Sequence, residues 1–377
     1  MKKTIIALAI AALTATAANA TVVYGEKGKV GTVIDVNGRI TLELQNTKNN
    51  RTDLRDPSTR LRVDAIHQFT EKYGVLAALE LRFSKTDTLD SLHVKRAYGG
   101  IFHKDIGELT FGRQLTHGDN LDYANFDYEV GTIIKVPDQM TKGIKFTSAT
   151  FNGFKIGADY YFGNKSKTAS STTLTYPTCT ALPCNTAPIA TTTTGQGAST
   201  GTGFDIVGYY DHKFGDVSVG VRGGFGQTKA STTVFEADQF NVKSHGAGIL
   251  LGYADTTFGF DYAHVETSKR GLAAAKAGGW GKFYATNVIN DDVTQYRTAL
   301  KYKLTPEDTI QATYIWGNGK TQGDADNDKF RGWVLSAGHE FNKNFLVYLE
   351  GGSFKVKEAG QKIDDDKKIA LGTRIFF

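Results

Sequence analysis

Cysteine and proline are scarce in this 377-residue chain, with 2 of the first and 6 of the second. Two cysteines cannot staple a disulfide scaffold. Methionine (2) and tryptophan (3) are as rare, so the adaptable fillers of a large soluble core are few. Nowhere do 18 consecutive residues stay apolar, which excludes a membrane-spanning helix. Charge of one sign does not dominate either. There are 44 Lys+Arg against 39 Asp+Glu, and no concentrated basic stripe of the kind that binds nucleic acid. What is plentiful is Gly (42), Phe (23) and Tyr (17). The glycines follow no period of three, which excludes collagen, and the aromatic content argues against wholesale disorder. The balance is that of β-structure punctuated by turns.

The first twenty residues read as an export signal. Met1-Lys2-Lys3 is positive, Ile5 to Leu13 is apolar, and Ala18-Asn19-Ala20 is a small-x-small cleavage site. Cleavage is expected between Ala20 and Thr21, leaving residues 21–377. An exported compartment lets thiols pair. Cys179 and Cys184 enclose four residues within a Thr/Ser/Gly-rich, low-complexity stretch at 163–203, and a local disulfide between them is expected.

The remainder alternates apolar and polar residues with period two. Segment 59–69 puts Leu61, Val63, Ala65 and Phe69 on one face, with Arg60, Arg62, Asp64 and Gln68 on the other. Such segments are predicted strands at 33–46, 58–69, 75–84, 93–103, 107–114, 142–151, 154–162 and 204–214. Eight more fall at 217–228, 242–254, 258–268, 291–304, 309–318, 329–341, 345–357 and 367–377. In 291–304 the alternation is less clean, with Val293, Gln295, Arg297 and Ala299 opposed to Thr294, Tyr296, Thr298 and Leu300.

The connections alternate in length. Tight ones fall at 70–74, 104–106, 152–153, 215–216, 255–257, 305–308 and 342–344. Longer ones fall at about 47–57, 85–92, 115–141, 163–203, 229–241, 269–290, 319–328 and 358–366. Strands of this length suit a tilted crossing of a hydrocarbon layer, where only a closed sheet satisfies every backbone group. A soluble sandwich has the same alternation, and periodicity alone does not separate the two. The long/short interleaving, with the export signal, favours an all-β, transmembrane antiparallel up-and-down β-barrel of 16 strands. Its turns would be short and periplasmic, its loops long and external.

Several motifs carry a resemblance. They are Val22-Val23-Tyr24, Gly38-Arg39, Thr59-Arg60-Leu61-Arg62, Leu79-Glu80-Leu81-Arg82-Phe83, Lys95-Arg96-Ala97-Tyr98 and Phe111-Gly112-Arg113. The last strand ends on Phe377, with apolar residues at alternate positions interrupted by Thr373. With these features the chain resembles the general diffusion porins of Gram-negative outer membranes. The match is strongest in the first third and the last strand, and from 163 to 290 it is one of pattern only. The resemblance implies a homotrimer of water-filled barrels passing ions and small hydrophilic solutes, in contact with outer-membrane lipid and lipopolysaccharide. It implies that Phe377 is read by the barrel-assembly machinery. It also implies that Ala77, Ala78, Ala97 and Gly99 permit wall-to-wall packing. Loop 115–141 would fold inward and narrow the pore, with Asp119, Asp122, Asp127, Glu129 and Asp138 facing a basic wall of Arg39, Arg60 and Arg96, joined by Arg62. Lys142 or Lys145 would supply another cation. The loop lacks the family's usual Pro-Glu-Phe-Gly-Gly stretch.

No other motif competes. The eight histidines show no metal-ligand spacing, and no G-x-S-x-G is present. Gly317-Asn318-Gly319-Lys320-Thr321 fails as a phosphate loop, because Tyr314 stands where its first glycine belongs. Asp324-Ala325-Asp326-Asn327-Asp328 begins like a calcium loop but has Lys329 at the sharp-turn glycine. No cofactor, metal site or catalytic group is expected, and no nucleic-acid partner. The competing classes are an outer-membrane barrel enzyme and a secreted soluble adhesin or lectin.

Overall fold

The computed structural model describes residues 21–48, 50–83, 92–128, 138–163, 169–175, 189–195, 200–231, 239–268, 292–320, 327–358 and 361–377. The proposed export signal, Glu129, Cys179 and Cys184 lie outside the described residues. The chain begins with strands β1 (Thr21–Tyr24), β2 (Gly31–Thr47), β3 (Asp53–Arg55), β4 (Arg60–Gln68), β5 (Tyr73–Phe83), β6 (Leu92–His103) and β7 (Gly107–Leu115). After a 3-10 turn at His117–Asn120 come β8 (Gln139–Ser148), β9 (Phe154–Tyr161), β10 (Ala169–Thr175), β11 (Ile189–Gly195), β12 (Thr200–Phe214) and β13 (Val217–Ser231). Then follow β14 (Gln239–Tyr253), β15 (Thr256–Thr267), β16 (Asp292–Lys303), β17 (Asp308–Lys320), β18 (Asp328–Asn342), β19 (Phe345–Glu358) and β20 (Gln361–Phe376).

Sixteen of these, namely β2, β4–β9 and β12–β20, pair antiparallel with their chain neighbours, and β20 returns to β2. The sheet is a closed barrel, and each of the sixteen predicted segments falls on one of its strands. The alternation is inside out. On β17 the outward Ile310 and Tyr314 are exposed, while Gln311 and Thr313 between them, and Ile315 just beyond, are buried against the interior. Ile40, Leu44, Ile101, Ile249, Leu335 and Leu371 continue the exposed apolar surface round the wall. Water does not tolerate an apolar face of that extent, whereas lipid requires it. Near the tight turns the outer face carries aromatic pairs, Phe69 with Tyr73 and Phe341 with Phe345, as a headgroup-level belt requires.

Closure is built on β2, whose two edges are tiled by four segments. One edge pairs with β4 along Gly31–Arg39 and with β3 along Glu43–Gln45. On the other edge β20 covers Arg39–Thr47, and β1 covers Ile34–Val36. Gly38 lies at the junction, exchanging both backbone bonds with Phe377 at 2.8 and 3.1 Å. A Cβ on Gly38 would lie 2.5 Å from the Phe377 ring and 2.9 Å from the Arg60 carbonyl. Glycine is therefore required for that close approach.

The seven tight connections hold. At the β14–β15 turn Ala254 takes φ 48°, a left-handed conformation that L-residues seldom adopt. Three details differ from expectation. The 163–203 stretch contains the antiparallel β10–β11 pair. The long connection expected at 358–366 is mostly strand, since β19 runs to Glu358 and β20 starts at Gln361. Residues 361–366 (QKIDDD) have Ile363 as their one apolar residue, so alternation does not reveal them. Ala78 faces the interior and is buried, unlike Ala77, so it cannot contribute to wall-to-wall packing.

Gly38→Val should strain the closing junction by about 1–3 kcal/mol, the usual cost of overpacking. Loss of the Phe377 pairing by deletion should act in the same direction. Both should lower the fraction of heat-modifiable folded protein in the outer membrane, and surviving barrels should conduct normally. Wild-type folded yield in both variants would contradict the closure described here.

Candidate functional site: a docked loop facing an arginine wall

Register brings the basic residues together in two rows on the interior of the early strands. Arg39, Arg60 and Arg82 stand directly opposite one another across β2, β4 and β5. Arg62, Glu80 and Arg96 form the adjacent row across β4, β5 and β6. Three arginines side by side repel one another, and the next row supplies the answer. Glu80 Oε1 accepts from Arg82 Nε at 2.5 Å, and its Oε2 lies 2.9 Å from Arg96 Nη1 and 3.9 Å from Arg62 Nη1. Arg62 is further held by Asp64, through two bonds of 2.7 Å, and donates to the Tyr98 hydroxyl at 2.9 Å. Arg39 Nε donates to the Ser58 carbonyl at 3.3 Å. Glu80 is 1% exposed, so one buried carboxylate serves a cluster of guanidinium groups that keep one side toward the lumen.

The segment after β7 turns inward and runs along the opposite half of the wall. Its 3-10 turn is fixed by His117, whose backbone amide donates to Asp159 on β9. His117 Nε2 donates to the Phe146 carbonyl at 2.9 Å, leaving Nδ1 to accept the Tyr209 hydroxyl at 2.8 Å. Burial, with Lys145 and Lys155 nearby, pushes this imidazole down to about 2, so it stays neutral. Leu121 packs on Val207 and Tyr209, and Arg222 of β13 lies 3.8 Å over the Tyr123 ring.

The strongest anchor follows. Arg297 of β16 is fully buried and pairs with Asp122 at 2.7 Å and with Asp261 of β15 at 3.0 Å. Asp261 in turn accepts the Tyr123 and Ala124 amides at 2.6 and 2.9 Å. Gly259 gives the loop this approach, because a Cβ there would lie 2.7 Å from the Ala124 backbone. Further on, Thr313 of β17 donates to Asp127 at 2.8 Å, and the Tyr128 amide donates to Glu350 of β19 at 2.7 Å. The Tyr128 ring stacks on Tyr348 at 4.4 Å, and Arg374 of β20 donates to the Tyr128 carbonyl. Burial and the neighbouring Glu350 raise the Asp127 carboxyl to about 7.

The expected acids thus divide. Asp122 and Asp127 are turned onto the far wall and not toward the arginine rows, because Arg297 and Thr313 offer partners at contact distance. The field of Asp119 reaches Arg96. Asp138 is exposed and acts on Lys95, while its carbonyl accepts the Thr116 amide at 3.2 Å and closes the loop's neck. Of the two candidate lysines, Lys145 is the interior one, donating to the Leu115 carbonyl at 2.9 Å. Sequence reasoning missed Glu80, Arg82 and Arg297 as site residues. Alternation already put Glu80 and Arg82 on the polar face of their strand, and hairpin register would have set them beside Arg60 and Arg62. Among the described residues no group of three His, Cys, Asp or Glu is placed to hold a metal ion.

The chain is thus a closed 16-stranded barrel with a loop folded inward after its fifth wall strand. A family model described as Gram-negative porin matches residues 7–359. The chain belongs to the Gram-negative porins. The "Major outer membrane protein" of Pasteurella multocida is 31% identical over 402 residues, covering 100% of both chains. Among solved structures, OmpT of Vibrio cholerae, in its trimer form, superposes with a TM-score of 0.62 at 14% identity, over 92% of this chain and 100% of that one. An anion-selective porin from Comamonas acidovorans gives 0.64 at 14% identity, with the same coverage. This porin is an outer-membrane channel for passive diffusion of ions and small hydrophilic solutes.

Removing one partner from a buried ion pair costs about 3–5 kcal/mol. Arg297→Met should therefore loosen the loop and raise open-channel current noise in planar bilayers, with the barrel itself still heat-modifiable. The neutral triple variant Arg297→Met, Asp122→Asn, Asp261→Asn should be quieter than the single one. Asp127 adds a pH dependence of known sign. Its carboxyl is raised in the docked loop, so docking is strongest below the ordinary carboxylate range near 4 and weakens as pH climbs through about 7. Noise should rise between pH 5 and 8 in the wild type and stay flat in Asp127→Asn.

Proposed function

We propose that loop 115–141 is the constriction of this porin and that the passage it leaves favours anions. The observation that carries this is the orientation of Asp122 and Asp127 onto the far wall, which removes them as counter-charge to the arginines. Arg62, Arg82 and Arg96 then share Glu80, with Arg39 and Arg60 in the row beside them, so the wall facing the loop has an excess of positive charge. A fixed row of guanidinium groups orders water and draws anions while leaving passage fast. No chemical step is needed, and none of the groups gathered here is arranged as a nucleophile and base.

We further infer a homotrimer, assembled through the face of β5 and β6, with Phe377 read by the barrel-assembly machinery. Outward Ala77 lies directly opposite Gly99, with Ala97 beside them, a flat patch on which a neighbouring barrel can sit closely. The trimeric Vibrio cholerae structure supports the same assembly. Unheated, detergent-extracted protein running at the mass of a single barrel would count against it.

Reversal potentials under a KCl gradient test the charge reading. The wild type should prefer chloride a few-fold, and the Arg60→Gln, Arg96→Gln pair should shift toward potassium. The Asp122→Asn, Asp127→Asn pair should leave the potential nearly unchanged, since those acids face the wall. Cation preference in the wild type, or an unmoved potential in the arginine pair, overturns the reading.

A further inference from the structure

The seat that receives the far end of the docked loop is richer in acceptors than in donors. Asp127 Oδ1 accepts from Thr313 at 2.8 Å, but its Oδ2 is buried with no hydrogen-bond partner. Beside it Glu350 is fully buried, and its Oε2 accepts the Tyr128 amide at 2.7 Å and the Ser336 hydroxyl at 3.1 Å. The field of Glu350 reaches Asp127, so two carboxylates share this corner. The cations around them have other engagements. Arg297 pairs with Asp122 and Asp261, and Arg374 donates to the Tyr128 carbonyl. Lys301 stands opposite Gln311, with Glu340 acting on it.

A neutral side chain on the wall shows the same deficit. Gln311 of β17 is 6% exposed, and its Oε1 has no hydrogen-bond partner. Its nitrogen donates to the hydroxyl of Tyr128, the loop residue next to Asp127. Register sets Gln311 directly opposite Ser336, and Ser336 directly opposite Glu350, so the three form one rung of the interior wall. That rung lies one step nearer the tight turns than Thr313, which holds Asp127. The two orphaned atoms, one on the loop and one on the wall, are both acceptors. Buried acceptors left alone are costly. A proton on Asp127 answers one of them, whereas a cation with several oxygen ligands answers both.

We propose that this seat is a calcium site, with Asp127, Glu350 and Gln311 as its oxygen ligands, and that the bound ion pins the end of the loop to β17 and β19. Calcium takes about six to eight oxygen ligands in flexible geometry, whereas magnesium demands a near-octahedral set and gives up its water reluctantly. Two carboxylates neutralise the ion, and the carboxamide adds a third ligand from the wall. Water and the Thr313 and Ser336 hydroxyls complete the shell. With two acids and an amide, the set differs from the three-acid grouping excluded above. Proton and cation compete for the same oxygen. Burial and Glu350 keep Asp127 protonated up to about pH 7, and the ion takes the proton's place above that. The proposal rests on the docking contacts and is independent of anion preference, which the reversal potentials test separately.

Calorimetric titration of calcium chloride into the detergent-solubilised, full-length porin, purified free of lipopolysaccharide, tests it. One calcium should bind per barrel at pH 8, at least tenfold more tightly than at pH 5 and at least tenfold more tightly than magnesium. Asp127→Asn and Gln311→Leu should each weaken binding at least tenfold, and Gln311→Glu should tighten it. In phosphatidylcholine bilayers at pH 8, millimolar calcium should quieten the open-channel noise of the wild type, and a chelator should restore it. Sodium chloride of equal ionic strength should not have this effect, and Asp127→Asn should respond to neither calcium nor chelator. Heat-modifiable mobility checks folding, and if Gln311→Leu misfolds, Gln311→Glu tests the amide alone. Equal calcium binding by wild type and Asp127→Asn overturns the proposal. A Gln311→Glu variant that binds no more tightly than the wild type overturns it too, since the carboxamide then turns its nitrogen to the acids.

Discussion

A peptide N–H that enters hydrocarbon has no water to bond, so each must find a carbonyl within the protein, and a sheet achieves this only by meeting itself. Everything else in the molecule follows from that closure. The edge of β2 cannot be left partly bare, and β20 runs out at Phe376. The missing length is supplied by β1, with the Gly38–Phe377 exchange bridging the two. Closing sixteen strands in this way makes a cylinder too wide for side chains to fill. The interior must then hold water or hold protein. This chain does both, by halves.

The two halves are chemically distinct. From β9 round to β20 the interior offers carboxylates, hydroxyls and glycines that receive the loop, with Asp261 and Glu350 accepting its backbone amides. From β2 to β6 it offers two rows of arginines, held by Glu80 and Asp64. Placing the loop's own acids against Arg297 and Thr313 keeps them from neutralising the opposite wall. On the proposed reading, the contacts that hold the loop also set the charge that the passage presents.

The barrel was legible in the sequence because its outer face is under a single demand. Ile310 and Tyr314 have to be apolar whatever their neighbours, so alternation survives without knowledge of pairing. Where that demand lapses, so does the signal, and residues 361–366 read as loop although β20 includes them. The site is a matter of partnership, and partners are remote. Arg39, Arg60, Arg62 and Arg96 were legible as interior cations from their faces and their resemblance. That Asp122 turns away from them depends on Arg297, 175 residues later, which no local pattern announces. Glu80 shows the intermediate case, visible on the correct face but meaningful only once β4, β5 and β6 are set in register.

The loop's moorings also impose an order on folding. It leaves the chain after β7, yet Tyr123 and Ala124 bond to a residue 138 and 137 positions away, and the Tyr128 carbonyl to one 246 positions away. Contacts of such separation form after the entropy of closing long stretches of chain has been met. Until β15 to β20 are in place Asp122–Tyr128 lack their partners Asp261, Arg297, Thr313, Glu350 and Arg374, and once the wall is complete they can reach these seats only from inside. With this loop as the proposed constriction, a newly closed barrel has an unobstructed bore, and its permeability narrows last.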